Sequence, residues 1–240
     1  MASAQSTGGL SESYTRWRSS CLGQTTDRLE QQLLFELLGS VAGKTLLDIG
    51  CGDGELTSKL AKRGAIATGI DMDPATIAAA RHRTRFEGTK LHFVEGNAEN
   101  LPFHDAAFDI VLAVTVLCFV RDAERAVIEM ARVLKPGGQL VIGELGRWSF
   151  WSAYRRIRGW LGNSTWQAAK FRTARELRRL VDATGLHVVE TRGAIYYPPL
   201  GTIAWLFAPI DLALGRRTTL GATFVAVSAI RRIEQRASPG

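Results

Sequence analysis

The chain has 240 residues and a mass of 26.2 kDa, and 46% of its residues are hydrophobic, which suffices for one sizeable core and favours a single domain. Three cysteines, an odd number without regular spacing, argue against a disulfide framework and a cysteine metal site. The net charge is +7, and residues 147–179 account for it, with nine basic residues against one acidic residue. The first residues are small and polar, so we expect no signal peptide and a cytoplasmic protein.

Taken in chain order, the pattern alternates between strands and helices. Leucines at helical spacing between Leu29 and Leu38, followed by Gly39, predict an N-terminal helical cap. The predicted strands cover residues 44–49, 66–71, 91–95, 108–114, 139–144, 187–192 and 221–230, and residues 135–138, with one proline and two glycines, predict a turn into the fifth strand. Helices of ten to fifteen residues between strands indicate a parallel sheet with right-handed crossovers, which binds ligands at the carboxyl ends of its strands.

A glycine turn follows the first strand, with glycines at positions 50, 52 and 54. Glycine allows a sharp turn and lets a ligand approach the main chain closely. A dinucleotide fingerprint would place its third glycine where Glu55 stands, and Asp48 just before the turn would repel a pyrophosphate. That carboxylate instead suits a ligand with an ammonium group. Asp71, which ends the second strand, is placed to accept both hydroxyls of a ribose.

Five segments resemble, in order and spacing, the class I S-adenosylmethionine-dependent methyltransferases, in the branch of the ubiquinone and menaquinone C-methyltransferases. They are LLDIGCGDGELT (46–57), GIDMDP (69–74), EGNAENLPF (95–103), FDIVLAVTVLCFV (108–120) and RVLKPGGQLVIGE (132–144). The resemblance implies an α/β, Rossmann-like fold: a seven-stranded, mostly parallel sheet between helices, with the last strand antiparallel. It implies one methyltransferase domain over 1–240, with a cap (1–43), a cofactor-binding core (44–146), a basic aromatic lid (147–172) and a C-terminal core (173–232) containing an apolar insertion (195–220).

The resemblance also implies that the cofactor is S-adenosyl-L-methionine. Asp48 and the glycine turn would hold its methionine portion, Asp71 its ribose, and Met72 and Asn97 its adenine. Asn97 stands where the family usually has aspartate, which keeps an acceptor oxygen but loses a charge. For Met72, simple core filling is the alternative. The predicted cofactor contacts are Asp48, Gly50, Cys51, Gly52, Asp71, Met72, Asn97, Ala98 and Val114.

Three residues, Tyr14, Glu144 and Tyr196, are candidates for acid–base or orienting roles. Tyr14 lies in a segment that resembles the family's aromatic segment folding over the cofactor; alternatively, it fastens the cap to the core. Glu144 ends the fifth strand facing the predicted substrate mouth, where it would orient a donor, take a proton or pair with an arginine. Cys118 stands near the place of a histidine in relatives, and is either a pocket residue or a small buried hydrophobe. The four histidines lie on scattered elements, so no metal site is predicted.

Two segments depart from the common core. Residues 147–171 interleave arginines with aromatic residues, which fits a nucleic-acid platform, an anionic membrane surface or a substrate lid. The lid is favoured because relatives build substrate specificity there. The segment 195–214 is apolar, but its prolines and Asp211 argue against a membrane-spanning helix. We predict a second lid, which also offers a contact with a bilayer.

The sequence therefore predicts a methyltransferase acting on a small-molecule or lipid-like acceptor, such as a quinone precursor or a phospholipid. A nucleic-acid acceptor is disfavoured because no added RNA-binding module is recognisable. An RNA methyltransferase therefore stands only as an alternative. A non-catalytic S-adenosylmethionine-binding regulatory protein is the alternative from a different class.

Overall fold

The structure is a computed structural model that describes residues 19–85 and 90–233. The described strands are β1 (Thr45–Ile49), β2 (Ile66–Asp71), β3 (Leu91–Glu95), β4 (Phe108–Val114), β5 (Leu134–Leu145), β6 (His187–Ala194) and β7 (Phe224–Ile230). The described helices are α1 (Cys21–Leu38), α2 (Glu55–Lys62), α3 (Pro74–Thr84), α4 (Ala123–Val133), α5 (Phe150–Trp160), α6 (Ser164–Ala168), α7 (Ala174–Asp182) and α8 (Gly201–Gly215). Tyr14 lies outside the described residues.

The strands form one seven-stranded sheet in the order β3-β2-β1-β4-β5-β7-β6. β1 to β5 pair in parallel, whereas β7 pairs antiparallel with both β5 and β6. The predicted Rossmann-like sheet with an antiparallel last strand is therefore confirmed. Its topology brings the carboxyl ends of β1, β2, β4 and β5 to one edge, where the glycine turn lies.

Helices cover both faces of the sheet, as the almost unbroken apolar sequence of β4 requires. On one face, buried leucines of α1 share a core with Ala204 of α8 and Phe224 of β7. On the other face, Met130 of α4 and Leu177 of α7 pack together against the sheet. The sheet is thus buried between two helical layers, and its carboxyl edge remains the place for a site.

The N-terminal cap is confirmed from Cys21 onward. Ser20 caps α1 by accepting a hydrogen bond from the Gly23 amide at 3.0 Å. The helix ends at Gly39, whose φ of +61° suits glycine, as the sequence predicted. Leucines of α1, including Leu33, are buried against the sheet, so the cap is part of the core.

The fifth strand is longer than predicted. It begins at Leu134, and the residues predicted to form the preceding turn are assigned to the strand itself. Leu134 already pairs with Phe108, and Gln139 pairs with Ile110. The register of the two strands shifts between these pairs, and the two glycines of β5 lie at this irregularity. Lys135 is held there because its ammonium group donates to Asp109 at 2.9 Å. The proline and glycines of the predicted turn gave no sign of this pairing, because it depends on the neighbouring strand β4.

The two segments outside the common core are largely helical. Residues 147–172 contain α5 and α6, and the apolar segment predicted as a second lid contains α8, with Pro209 inside it. None of the helices described within residues 19–85 and 90–233 combines the length and apolarity needed to cross a bilayer.

Candidate active site

The glycine turn after β1 has no room for a side chain at Gly50 or Gly54, whereas a Cβ at Gly52 would meet nothing within 4 Å. Its three glycines share positive φ angles: +67° at Gly50, +54° at Gly52 and +75° at Gly54. The amides of Gly50 and Cys51 both donate to the Ile70 carbonyl of β2, at 2.7 and 3.0 Å. A Cβ on Gly50 would lie 2.4 Å from Cγ2 of Val116, in the loop after β4. The turn therefore lies between the carboxyl end of β2 and the loop after β4.

Asp48 lies behind this turn with only 2% of its surface exposed. Its Oδ2 accepts a hydrogen bond from the Thr57 hydroxyl of α2 at 2.6 Å. Burial raises the pKa of Asp48 to about 7, against that hydrogen bond, and the nearby charge of Asp71 raises it further. A positively charged ammonium group nearby would favour the ionised form of Asp48. The contact between Asp48 and the methionine portion of the cofactor stays a prediction. Thr57 was missed; its only sequence signal is a hydroxyl in the first turn of the helix after the glycines.

Asp71 joins the glycine turn to the helix after β2. Its Oδ2 accepts from the Gly52 amide at 3.0 Å, and its Oδ1 accepts from the Asp73 amide at 3.1 Å. Each carboxylate oxygen can accept more than one hydrogen bond. Asp71 therefore fixes the turn while retaining capacity for ligand hydroxyls, and its assignment to a ribose remains a prediction.

The residues predicted around the adenine lie along the same edge. Met72 is 72% exposed, so its side chain is available to a ligand and does not fill the core. Asn97 is also exposed, and its Oδ1 accepts from the Glu99 amide at 2.9 Å, which leaves the side-chain amide as a donor. Ala98 is half-buried and packs on the core. These positions fit a flat ligand face, and their contacts with a ligand stay predictions.

Two cysteines near the site have buried side chains. Cys51 packs with Phe93, so only its backbone belongs to the turn, and burial raises the pKa of its thiol. Cys118 is fully buried beside Leu145 and Phe171, as expected of a small hydrophobe. Val114, the last residue of β4, is half-buried. Among the described residues, no group of three His, Cys, Asp or Glu side chains is arranged to hold a metal.

The basic aromatic segment, residues 147–172, leaves the carboxyl edge of the sheet and returns to it, so that its two ends meet. We call this segment the excursion. The Arg147 amide donates to the Arg172 carbonyl at 2.9 Å. The returning end is tied to the loop after β4: the Lys170 amide donates to the Cys118 carbonyl at 2.9 Å, and Arg172 Nη1 donates to the Leu117 carbonyl at 2.6 Å. The segment therefore lies against the loop that also packs on the glycine turn.

Glu144 is buried beneath this loop, with 1% of its surface exposed, rather than facing an open mouth as expected from the sequence. Its Oε1 accepts from the Leu117 amide at 2.5 Å, and its Oε2 has no hydrogen-bond partner among the described residues. Burial raises the pKa of Glu144 to about 7, although the Leu117 amide and the charge of Arg172 lower it. The excursion covers the end of β5, which a local reading of the strand could not show.

Tyr196 lies after β6, where its groups hold α8 in place. Its hydroxyl donates to the Thr218 carbonyl, and burial raises its pKa. Asp211 of α8, which is buried, accepts from the Ile195 amide at 2.7 Å and from the Tyr196 amide at 2.9 Å. Asp211 thus has a structural task that the sequence did not reveal, and a catalytic role for Tyr196 stays a prediction.

Comparisons with known proteins agree with this geometry. A family described as a methyltransferase domain matches residues 47–142. The chain is 34% identical over 166 residues to a ubiquinone biosynthesis O-methyltransferase of Methylobacterium sp. (strain 4-46), which is 67% of each chain. A demethylmenaquinone methyltransferase of Tropheryma whipplei (strain Twist) is 41% identical over 110 residues, 45% of each chain. A solved S-adenosylmethionine-dependent methyltransferase of Thermotoga maritima has the same fold, with a TM-score of 0.70, 24% identity and coverage of 92% of this chain and 96% of that chain.

Proposed function

We propose that this chain, which belongs to the class I S-adenosylmethionine-dependent methyltransferases, methylates a hydroxyl oxygen of a hydrophobic, quinone-related phenol. The observation that carries this proposal is the extent of the similarity. The O-methyltransferase relative matches over 166 residues, longer than the core at 47–142, whereas the demethylmenaquinone relative matches over 110. Similarity beyond the cofactor-binding core favours a related acceptor, and oxygen over carbon as the methylated atom.

The residues at the carboxyl edge fit the cofactor. A Cβ at Gly52 would meet nothing within 4 Å, and this open space supports close approach of a ligand to the turn. Asp71 and the exposed Met72 follow directly along the same edge, as a ribose and an adenine would require. When bound, S-adenosylmethionine supplies an already activated methyl group. The protein then mainly has to orient the acceptor and exclude water. The phenol gives its proton to the solvent, its oxygen takes the methyl group and S-adenosylhomocysteine leaves, so no acid–base dyad is required.

Glu144 is assigned a positioning role in this reaction. Its buried carboxyl holds the Leu117 amide, and the neighbouring Val116 packs on Gly50. Ionisation of Glu144 near pH 7 therefore acts on the loop between the glycine turn and the aromatic excursion. The excursion itself, which carries exposed aromatic residues including Trp148, is proposed as the cover over a hydrophobic acceptor.

The test is a pair of acceptors that differ only at the reacting atom. The protein is incubated with S-adenosylmethionine and either a prenylated catechol or its dimethyl ether, and products are read by mass spectrometry. With the catechol we expect a mass increase of one methylene unit, which fragmentation should locate on an oxygen atom. With the dimethyl ether we expect no mass increase. The phenol proposal is wrong if a phospholipid is methylated and the catechol is not. Binding of S-adenosylhomocysteine without turnover of a broad acceptor panel would favour the non-catalytic alternative.

A matched variant tests the positioning role. Glu144→Gln keeps an oxygen for the Leu117 amide but cannot ionise. We expect kcat of the wild type to change between pH 6 and pH 8, about one pH unit to either side of its pKa of about 7, and the variant to lose that change. A profile identical in both proteins would remove Glu144 from the account.

A further inference from the structure

Helix α5 has apolar residues on two opposite faces. Its inner face is anchored by Trp151, which is buried and whose indole N–H donates to the Tyr197 carbonyl at 3.0 Å. Its outer face carries Phe150, Tyr154 and Ile157, all exposed and spaced at intervals of four and three residues. Such spacing places them on one stripe of the helix. A helix that needed only its core contacts would have polar residues on that stripe.

Helix α8 repeats this arrangement. Ala204 and Asp211 face inward and are buried. Leu206, Ile210 and Leu214 recur every four residues and are exposed, with Leu206 at 67%. The outer stripe of α8 is therefore apolar as well, in a helix too short to span a membrane.

The two stripes belong to one side of the molecule. Trp151 of α5 and Ala204 of α8 lie in the same buried cluster, so the inner faces of the two helices pack on a shared core. The segment between β6 and α8 holds Trp151 through Tyr197. Both helices therefore lie on the same face of the sheet, and each turns its exposed stripe away from the shared core. We call the surface formed by the exposed apolar residues of α5 and α8 the apolar face.

Charge and aromatic residues around the apolar face indicate what covers it. The exposed Arg158 lies over the Tyr154 ring at 5.9 Å, and Arg217 is exposed just after α8. Helix α5 itself holds three basic residues, Arg155, Arg156 and Arg158, and no acidic residue. Trp160, at the end of α5, is 82% exposed. Exposed indoles beside arginines and aliphatic side chains suit a bilayer interface, where rings lie at headgroup level and cations meet anionic lipids.

We infer that the apolar face docks on the surface of an anionic lipid bilayer. Docking would place the carboxyl edge, and hence the acceptor entrance, next to the membrane, since the excursion that contains α5 starts there. This inference goes beyond methyl transfer, because it holds for any acceptor. A second copy of the chain and a protein partner are the competing occupants of this surface.

The test measures co-sedimentation of the full chain with vesicles of phosphatidylglycerol or of phosphatidylcholine. We expect strong binding to the anionic vesicles, weaker binding to the neutral ones, and a decrease with added salt. The double variant Ile157→Glu/Leu206→Glu should bind about tenfold more weakly, because each change places a charge in the docked surface. Ile128→Glu on α4 is the matched control, since Ile128 and Ile157 are both 50% exposed on helices; its binding should equal that of the wild type.

The inference is overturned if no vesicle binds the wild type, or if the double variant and the control bind equally. It is also overturned if light scattering shows a dimer that the double variant dissociates while vesicles remain unbound. Circular dichroism checks that the variants fold. Calorimetric binding of S-adenosylhomocysteine should be unchanged in both variants, so loss of docking is distinguishable from damage to the cofactor site.

Discussion

Glutamine in place of Glu144 should remove one pH-dependent loss of stability. Burial raises the pKa of this carboxyl from 4.5 to about 7 in the folded protein. The unfolded chain therefore releases the proton at a lower pH than the folded chain does. As the pH rises through the interval between these two values, the unfolded state is increasingly favoured, so stability falls.

The magnitude follows from the size of the pKa change. About 2.5 pKa units, at about 1.4 kcal/mol each, correspond to about 3 kcal/mol of unfolding free energy lost once the pH exceeds about 7. Glu144→Gln keeps an acceptor for the Leu117 amide, which lies 2.5 Å from the carboxyl oxygen, but it has no proton to release. Between pH 5 and pH 8 the variant should therefore lose about 2–3 kcal/mol less than the wild type, since the unfolded carboxyl is already mostly ionised at pH 5.

The assay is urea unfolding, followed by tryptophan fluorescence, at pH 5 and pH 8 for both proteins. The difference between the two pH effects isolates Glu144 from every other titrating group. Asp109→Asn is a control of opposite sign: although burial opposes it, hydrogen bonds from Thr45 and Lys135 hold the pKa of Asp109 at about 2. Stability from Asp109 is fully present above about pH 4 and is lost on acidification. This variant should therefore be less stable than the wild type, but its stability should change between pH 5 and pH 8 by the same amount as that of the wild type. Equal pH effects in the wild type and Glu144→Gln would refute the reasoning.

Two further substitutions test the site and its support. Gly50→Ala should cost about 1–3 kcal/mol more than Gly52→Ala in urea unfolding, because a Cβ at position 50 would lie 2.4 Å from Val116, whereas at position 52 it would meet nothing within 4 Å; both sites have positive φ, so equal costs would mean that the contact is relieved freely. Asp211→Ala should cost about 2–5 kcal/mol, because it leaves two backbone amides without their acceptor, and the exposed Asp182→Ala should cost less than about 0.5 kcal/mol. A cost for Asp211→Ala no larger than that of Asp182→Ala would contradict this structural role.

The sheet could be predicted closely from the sequence because its signals are local. The apolar run of β4 and the strands that end at Asp71 and Glu95 have the bounds that their patterns indicate. The glycine turn was also recognisable, since glycines at alternating positions after a buried strand have few other uses. In these strands and in the glycine turn, the local residue pattern determines the backbone conformation.

What the sequence missed depends on contacts between distant segments. Burial of Glu144 requires the excursion to close over β5, through pairing between Gly146 and Arg172. In the sequence, Asp211 indicates only that a membrane-spanning helix is unfavourable, because the two amides that donate to it lie in the segment between β6 and α8. Neither partner is visible in local hydropathy, so tertiary structure decides both roles.

The central claim is that the edge formed by the glycine turn and Asp71 binds S-adenosylmethionine. Calorimetric titration with S-adenosylmethionine and S-adenosylhomocysteine tests it most directly, on the wild type, Asp71→Asn and the control Asp53→Asn in the same turn. We expect binding at micromolar concentration by the wild type and the control, and a loss of about tenfold or more in Asp71→Asn, since a charged acceptor for ribose hydroxyls is removed. Absence of binding to folded, ligand-free wild-type protein, or equal binding by all three, would contradict the account.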